Sequence, residues 1–123
     1  MSKIMLITSG IVQMETKLNE SKTAALLFDK PPISGIVNTW GDEIYFPIPV
    51  EAEAENTVDL VEEGDLAYWP EGRCFCIFFG PTLASTGSEI RPASPVNLLG
   101  RLKGDPKVWK KVEPGSSIKL EKA

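Results

Sequence analysis

Eight short strand-like segments, separated by turn residues, most constrain the fold of this 123-residue chain. Residues 11–18 show the pattern clearly, because apolar and polar side chains alternate along them as they do in a half-buried strand. Many short strands at close spacing are typical of a β-sandwich or a closed β-barrel. The eight predicted strands are residues 3–8, 11–18, 43–50, 57–61, 66–69, 73–79, 96–102 and 117–121.

Two short helices are predicted, one early and one late in the chain. Asn19 can cap the first helix by accepting a backbone N–H, and Glu20 then lies in a first turn where the helix dipole favours negative charge. Pro31-Pro32 ends this helix. The second helix begins at Asp105-Pro106, an N-cap followed by proline, and stops at Pro114-Gly115. The sequence therefore predicts a mostly β fold, a closed eight-stranded barrel with two short helices covering its ends.

Two of the predicted strands have unusual faces. In residues 43–50, Pro47 and Pro49 fall on the same side and remove backbone donors from that side only, so this strand should be an edge or border a gap in the barrel wall. Residues 73–79 are apolar in both phases of the alternation. A strand of that kind should be covered on both of its faces.

Size and charge limit the partners that we expect. Without repeats or linkers, residues 1–123 are interpreted as a single domain. The net charge of −4 and the scattered lysines and arginines argue against nucleic acid and against a membrane surface. No segment approaches the ~18 apolar residues of a membrane span, and we expect no signal sequence in the first residues. We expect a cytoplasmic location.

The absence of histidine excludes several chemistries. Ser-His-Asp and Cys-His nucleophile pairs cannot form, and the commonest metal ligand is missing. Cys74 and Cys76 point to one face of a strand, but zinc would need two further ligands from carboxylates. We interpret both cysteines as small buried apolar residues, with a redox pair as the alternative. The sequence predicts neither a metal site nor a cofactor.

The most informative candidate site combines a loop with neighbouring aromatic residues. Residues 80–95 form a long loop for so small a domain, and such loops are usually functional or disordered. Arg91 is the cation of this loop and could hold a carboxylate or a phosphate, or be a plain surface arginine. Tyr45 and Trp69 each carry a polar atom that needs a partner, and Glu43 lies beside Trp40 and Tyr45.

We therefore predict a cleft for a small molecule or a peptide beside the barrel. Its floor and walls would come from acidic and aromatic side chains, and its rim from the polar loop. The candidate ligand-binding residues are Glu43, Tyr45, Trp69, Phe78, Phe79, Thr82, Ser85 and Arg91.

Four separated motifs resemble the cyclophilin-like family of small bacterial and archaeal proteins of unknown function. They are WGDEIYF at 40–46, GDLAYWP at 64–70, CIFFGPT at 76–82 and SPVNLLG at 94–100. The resemblance spans nearly the whole chain and implies a closed eight-stranded cyclophilin-like barrel with two helices. The Phe-His-Arg motif of true cyclophilins, with its downstream Gln-Gly-Gly, has no counterpart here.

Two further hypotheses remain beside ligand binding. One is an atypical peptidyl-prolyl isomerase, in which Arg73 or Arg91 would replace the arginine of true cyclophilins. The other is an interaction subunit of a larger assembly or a homo-oligomer, which the expected edge at Pro47 and Pro49 suggests.

Overall fold

A computed structural model describes residues 3–123 as nine strands and two short helices. Helix α1 spans Lys22–Phe28, and a 3-10 helix spans Pro106–Lys111. The strands are β1 (Lys3–Ser9), β2 (Val12–Leu18), β3 (Ile33–Ile36), β4 (Asn38–Thr39), β5 (Glu43–Pro47), β6 (Asp65–Trp69), β7 (Cys74–Phe78), β8 (Asn97–Leu102) and β9 (Ser117–Lys122).

The mostly β fold is confirmed, but the structure has nine strands where the sequence predicted eight. Seven predicted strands are present, and the short strands β3 and β4 were missed. Residues 57–61, predicted as a strand, instead form isolated bridges from Val58 to Val96 and from Val61 to Ile90. Each of these bridges joins a single pair of residues, so the segment lies outside the main sheet.

One chain segment brings the two edges of the sheet together. The strand order is β3-β9-β1-β2-β8-β6-β7-β5-β4, so the outermost strands β3 and β4 are separated in sequence only by Val37. The Val37 N–H donates to the Ser116 carbonyl at 2.8 Å, and the Gly115 N–H donates to the Val37 carbonyl at 2.9 Å. The sheet therefore curls into a nearly closed barrel.

Pro47 lies where the barrel wall is open on one side. Strand β5 pairs with β7 along its whole length, up to Pro47 opposite Cys74. On its other side, β5 pairs with β4 only at Ile44 and Tyr45. The predicted gap is thus present at Pro47, since its missing N–H falls beyond the paired part of that side. The strand was predicted three residues too long, however, because β5 ends at Pro47 and Pro49 lies outside it.

The interior of the barrel holds the main core. Phe46 and Phe75 face each other across β5 and β7 with ring centroids 5.5 Å apart, and both are fully buried. Tyr68 is also buried and donates its hydroxyl to the Val50 carbonyl at 2.7 Å, which satisfies its polar atom.

Both helices pack their apolar side chains onto this inner core. The side chains of Ala24 and Leu27 come from α1, and Trp109 comes from the 3-10 helix. The cap of α1 was predicted two residues too early, because Ser21 accepts the Ala24 N–H while Asn19 accepts the Ser21 N–H just before the helix. Asp105 caps the 3-10 helix as predicted.

Among residues 3–123, no helix has the length and apolar character needed to cross a membrane.

A second core lies on the outer face of β5, β6 and β7. All five side chains of β7 are buried, with Phe75 and Ile77 directed inward and Cys74, Cys76 and Phe78 directed outward. The outer three are covered by residues 58–61 and 90–96. The prediction that this strand is covered on both faces is confirmed.

A buried asparagine attaches an outer segment to the barrel. Asn97 on β8 accepts the Glu55 N–H at 2.8 Å. Its amide donates to the Thr23 hydroxyl at 3.0 Å and to the Glu53 carbonyl at 2.9 Å. Glu55 in turn accepts the backbone N–H groups of Lys22 and Thr23, and these bonds lower its pKa. One side chain therefore joins β8, α1 and the segment that follows β5.

Replacing Asn97 with alanine should lower the free energy of unfolding by about 2–4 kcal/mol, because several buried backbone and side-chain groups lose their partner together. Urea denaturation of wild type and Asn97→Ala measures this loss. Asn38→Ala removes an exposed asparagine and should stay within about 0.5 kcal/mol of wild type. Equal losses in the two variants would contradict the role of the network.

Candidate ligand-binding site

A cavity of about 240 Å³ opens on the outer face of the barrel, over β5, β6 and β7. Its walls are mainly apolar and aromatic, and they come from three strands, one turn and one loop. The lining residues are Trp40, Glu43, Tyr45, Trp69, Cys76, Pro92, Ala93 and Val96.

Strand register brings the central residues together. Tyr45 of β5 lies directly opposite Cys76 of β7, and Cys76 lies opposite Ala67 of β6. Glu43 is two residues before Tyr45 and therefore shares its face of the sheet. Alternation along β5 sends Ile44 and Phe46 into the barrel, so the same strand supplies the inner core and the cavity.

A tight turn places Trp40 at one side of the cavity. The Trp40 N–H donates to the Glu43 carbonyl at 3.0 Å across a two-residue turn. Gly41 in that turn has a φ of +63°, and a side chain there would lie 2.8 Å from the Thr82 backbone. Glycine is therefore required both by the left-handed conformation and by the close approach of the loop.

Contacts on two sides hold Trp69. Its ring lies against Gly72, where an added Cβ would come within 2.4 Å of the indole carbons. Its Nε1 donates to the Ser94 hydroxyl at 2.5 Å, and that hydroxyl donates to the carboxylate of Glu71. Since Ser94 follows directly after Ala93, this bond ties the wall of the cavity to the strand.

Glu43 is the charged group of the cavity. The residue is 6% exposed, and its Oε1 is buried with no hydrogen-bond partner among residues 3–123. Burial raises the pKa of Glu43 from its ordinary value of 4.5 to about 7, and the neighbouring Cys76 thiol opposes the shift only in part. A buried carboxyl group with an unpaired oxygen can bind a ligand that donates a hydrogen bond to it or carries a positive charge.

Cys74 and Cys76 are both buried free thiols, as the sequence predicted. Burial raises the pKa of the Cys76 thiol well above its ordinary value, and the nearby charge of Glu43 adds to this effect. Cys76 therefore remains a protonated, apolar part of the wall. Within residues 3–123, no group of three or more histidine, cysteine or carboxylate side chains is arranged to hold a metal ion.

The structure brings together three of the eight residues that the sequence suggested. Glu43, Tyr45 and Trp69 line one cavity. Phe78 is fully buried in the outer core, and Phe79 belongs to the inner core because the alternation turns it to the opposite face. Neither phenylalanine lines the cavity.

The other three residues stabilise the loop from within. The Ser85 hydroxyl accepts the N–H groups of Thr82 and Arg91 at 2.9 and 3.0 Å, and the Thr82 hydroxyl donates to the Arg91 carbonyl. The Arg91 guanidinium pairs with Glu89 at 2.9 Å. The expected polar rim is therefore a set of turn-forming contacts and does not line the cavity.

Sequence reasoning missed five lining residues, for different reasons. Trp40 was noted beside Glu43, and the glycine after it was an available signal for a turn. Cys76 faces the cavity only because of its register with Tyr45, which the sequence does not specify. Pro92, Ala93 and Val96 carry no local signal, because their position depends on how the loop crosses the sheet.

Comparison with known proteins identifies a family and several solved structures. The family model described as Cyclophilin-like matches residues 2–121. The solution structure of a hypothetical protein from Archaeoglobus fulgidus is 39% identical, covers 99% of this chain and 95% of its own, and superposes with a TM-score of 0.85. No curated protein matches the chain.

Gly72→Ala should displace the Trp69 ring and lower the free energy of unfolding by about 1–3 kcal/mol, because the new methyl group overlaps the indole. Tryptophan fluorescence should shift as the ring leaves its contacts. Gly104→Ala is the matched control, since its methyl group meets only the flexible end of Met14. An unchanged spectrum in Gly72→Ala would contradict this account of how Trp69 is positioned.

The pH dependence of the free energy of unfolding should reveal the raised pKa of Glu43. Between pH 4.5 and about 7 the folded protein keeps a proton that the unfolded chain has released. The free energy of unfolding therefore falls, on account of this group, as the pH rises through that window, by on the order of 3 kcal/mol, and is level above it.

Glu43→Gln, which is neutral at every pH, should remove that part of the slope. Chemical denaturation at pH 5 and pH 8 measures it, and the exposed Glu53→Gln serves as a control that keeps the slope of wild type. If Glu43→Gln and wild type lose equal stability between the two pH values, Glu43 is not a buried neutral acid at pH 5.

Proposed function

We propose that this chain, which belongs to the cyclophilin-like family, binds a small molecule in the cavity over β5, β6 and β7. The single observation that supports the proposal is the buried Oε1 of Glu43, which lies in an aromatic cavity without a hydrogen-bond partner in the described chain. An unpaired buried polar atom costs about 1–3 kcal/mol, and a ligand that donates a hydrogen bond to it or places an opposite charge beside it offsets this cost.

The form of the cavity supports a ligand of modest size. Apolar and aromatic walls with few polar groups are typical of small-molecule sites. At about 240 Å³ the cavity has room for roughly eight waters, which suits a molecule of several heavy atoms better than a long peptide.

No observation favours the prolyl isomerase hypothesis over ligand binding. Arg73 pairs with Glu51 at 2.8 Å, and Arg91 pairs with Glu89. Neither arginine is among the residues that line the cavity. A proline dipeptide is nonetheless a useful member of a ligand panel, because it tests a proline-binding activity directly.

A thermal-shift panel tests the proposal, using small ammonium compounds, neutral alcohols and amides, small carboxylates and a proline dipeptide. At about ten times its Kd, a ligand adds about 1.4 kcal/mol to the stability of the folded protein. We expect at least one class to raise the Tm of wild type, by about 3–6 °C.

Ala93→Phe places a ring at the exposed edge of the cavity and should abolish that shift. Ala54→Phe makes the same change at an exposed alanine outside the lining and should retain it. The proposal fails if no class stabilises wild type, or if the shift survives unchanged in Ala93→Phe.

A further inference from the structure

We propose that the ligand of this cavity is a small organic cation, an alkylated ammonium group that pairs with Glu43 between Trp40, Tyr45 and Trp69. The inference rests on the proposed function, because it names the chemical class of ligand for the same cavity. It follows from the charge, the aromatic composition and the size of the site.

The charge of the lining residues favours a cationic ligand over an anionic one. Glu43 is the sole acidic or basic residue among the lining residues of the described chain, other than the protonated thiol of Cys76 and the phenol of Tyr45. A bound anion would meet the carboxylate with no lysine or arginine to balance it, and like charges at close range repel. A cation instead supplies the opposite charge that a buried carboxylate lacks.

The aromatic walls favour an organic cation over a metal ion. The two indoles and the phenol carry negative π-faces, which attract cations, and indole attracts them most strongly. A metal ion would need several oxygen, nitrogen or sulfur ligands, and residues 3–123 offer no such group. The site presents instead one carboxylate among apolar surfaces.

Alkylation of the ammonium follows from the shortage of acceptors. A primary ammonium has three N–H donors that need partners when buried. Among the lining side chains, the oxygen acceptors are the Glu43 carboxylate and the Tyr45 hydroxyl, while Pro92, Ala93 and Val96 are apolar. Methyl groups on nitrogen remove those donors, keep the positive charge and pack against the apolar and aromatic walls.

Binding of a cation should be linked to proton release from Glu43. The titratable groups that face it are Tyr45 on its own strand and the thiols of Cys74 and Cys76 on β7, and the chain has no histidine. Burial raises the pKa of both thiols, so they stay protonated in this range. Asp42, the preceding residue, lies 3.8 Å from the Lys110 ammonium. The affinity for a cation should therefore weaken about tenfold per pH unit below 7 and level off above it.

The test uses three probes of the same shape and different charge: choline, the neutral 3,3-dimethylbutan-1-ol and the anionic 3,3-dimethylbutyrate. Calorimetric titration at pH 8 gives the Kd of each. We expect choline to bind at least about tenfold more tightly than the neutral probe, because cation–π contact and the carboxylate act together. The anion should show no binding.

Glu43→Gln keeps the shape of the side chain and should reduce choline affinity about tenfold or more, while the neutral probe changes less than about twofold. Glu53→Gln, at an exposed site outside the cavity, should leave all three affinities unchanged. The pH dependence of choline binding should disappear in Glu43→Gln.

The outcomes separate this inference from the proposed function. If the neutral or anionic probe binds as tightly as choline, and Ala93→Phe abolishes that binding, the cavity is a ligand site and the cation inference is wrong. If choline binds equally well to wild type and Glu43→Gln, the inference is also wrong. If no probe and no member of the wider panel binds, both proposals fail.

Discussion

Burial of both faces of strand β7 is the constraint on which the rest of this structure depends. Five consecutive side chains from Cys74 to Phe78 are removed from water, and one barrel interior can cover only half of them. The outward half needs a second cover, which the segments around Val61 and Val96 supply. Where that cover does not reach the sheet completely, a cavity remains. The candidate site therefore results from the way in which these segments cover the outer core. It does not reduce the packing of the barrel interior.

The inward and outward faces of β5 and β7 meet different physical requirements. Inward positions such as Phe46 and Phe75 are selected for volume, because they fill a closed interior. The outward position of Glu43 instead keeps a carboxyl group where burial raises its pKa and leaves an oxygen unpaired in the described chain. Such a group lowers the stability of the empty protein. That cost is the physical reason to look for function on the outer face.

Local patterns in the sequence predicted the strands that alternate cleanly, both helix positions and the covered strand β7. They failed at β3 and β4, which are short and take their strand conformation from pairing with β9 and β5. They also failed at residues 57–61, whose apolar residues reach the outer core without joining the sheet. For the site, Glu43, Tyr45 and Trp69 were found from their chemistry. Cys76 and Val96 were missed because register and loop path are tertiary properties.

The hydrogen bonds inside the loop have a consequence for the thermodynamics of recognition. Ser85 and Thr82 fix the loop from within, and the bond from Trp69 to Ser94 fixes it to the sheet. The wall of the cavity is therefore already ordered before anything enters it. A preorganised wall loses little conformational entropy on binding. Differences in affinity between related compounds would then reflect their direct contacts with the wall, with little contribution from rearrangement of the protein.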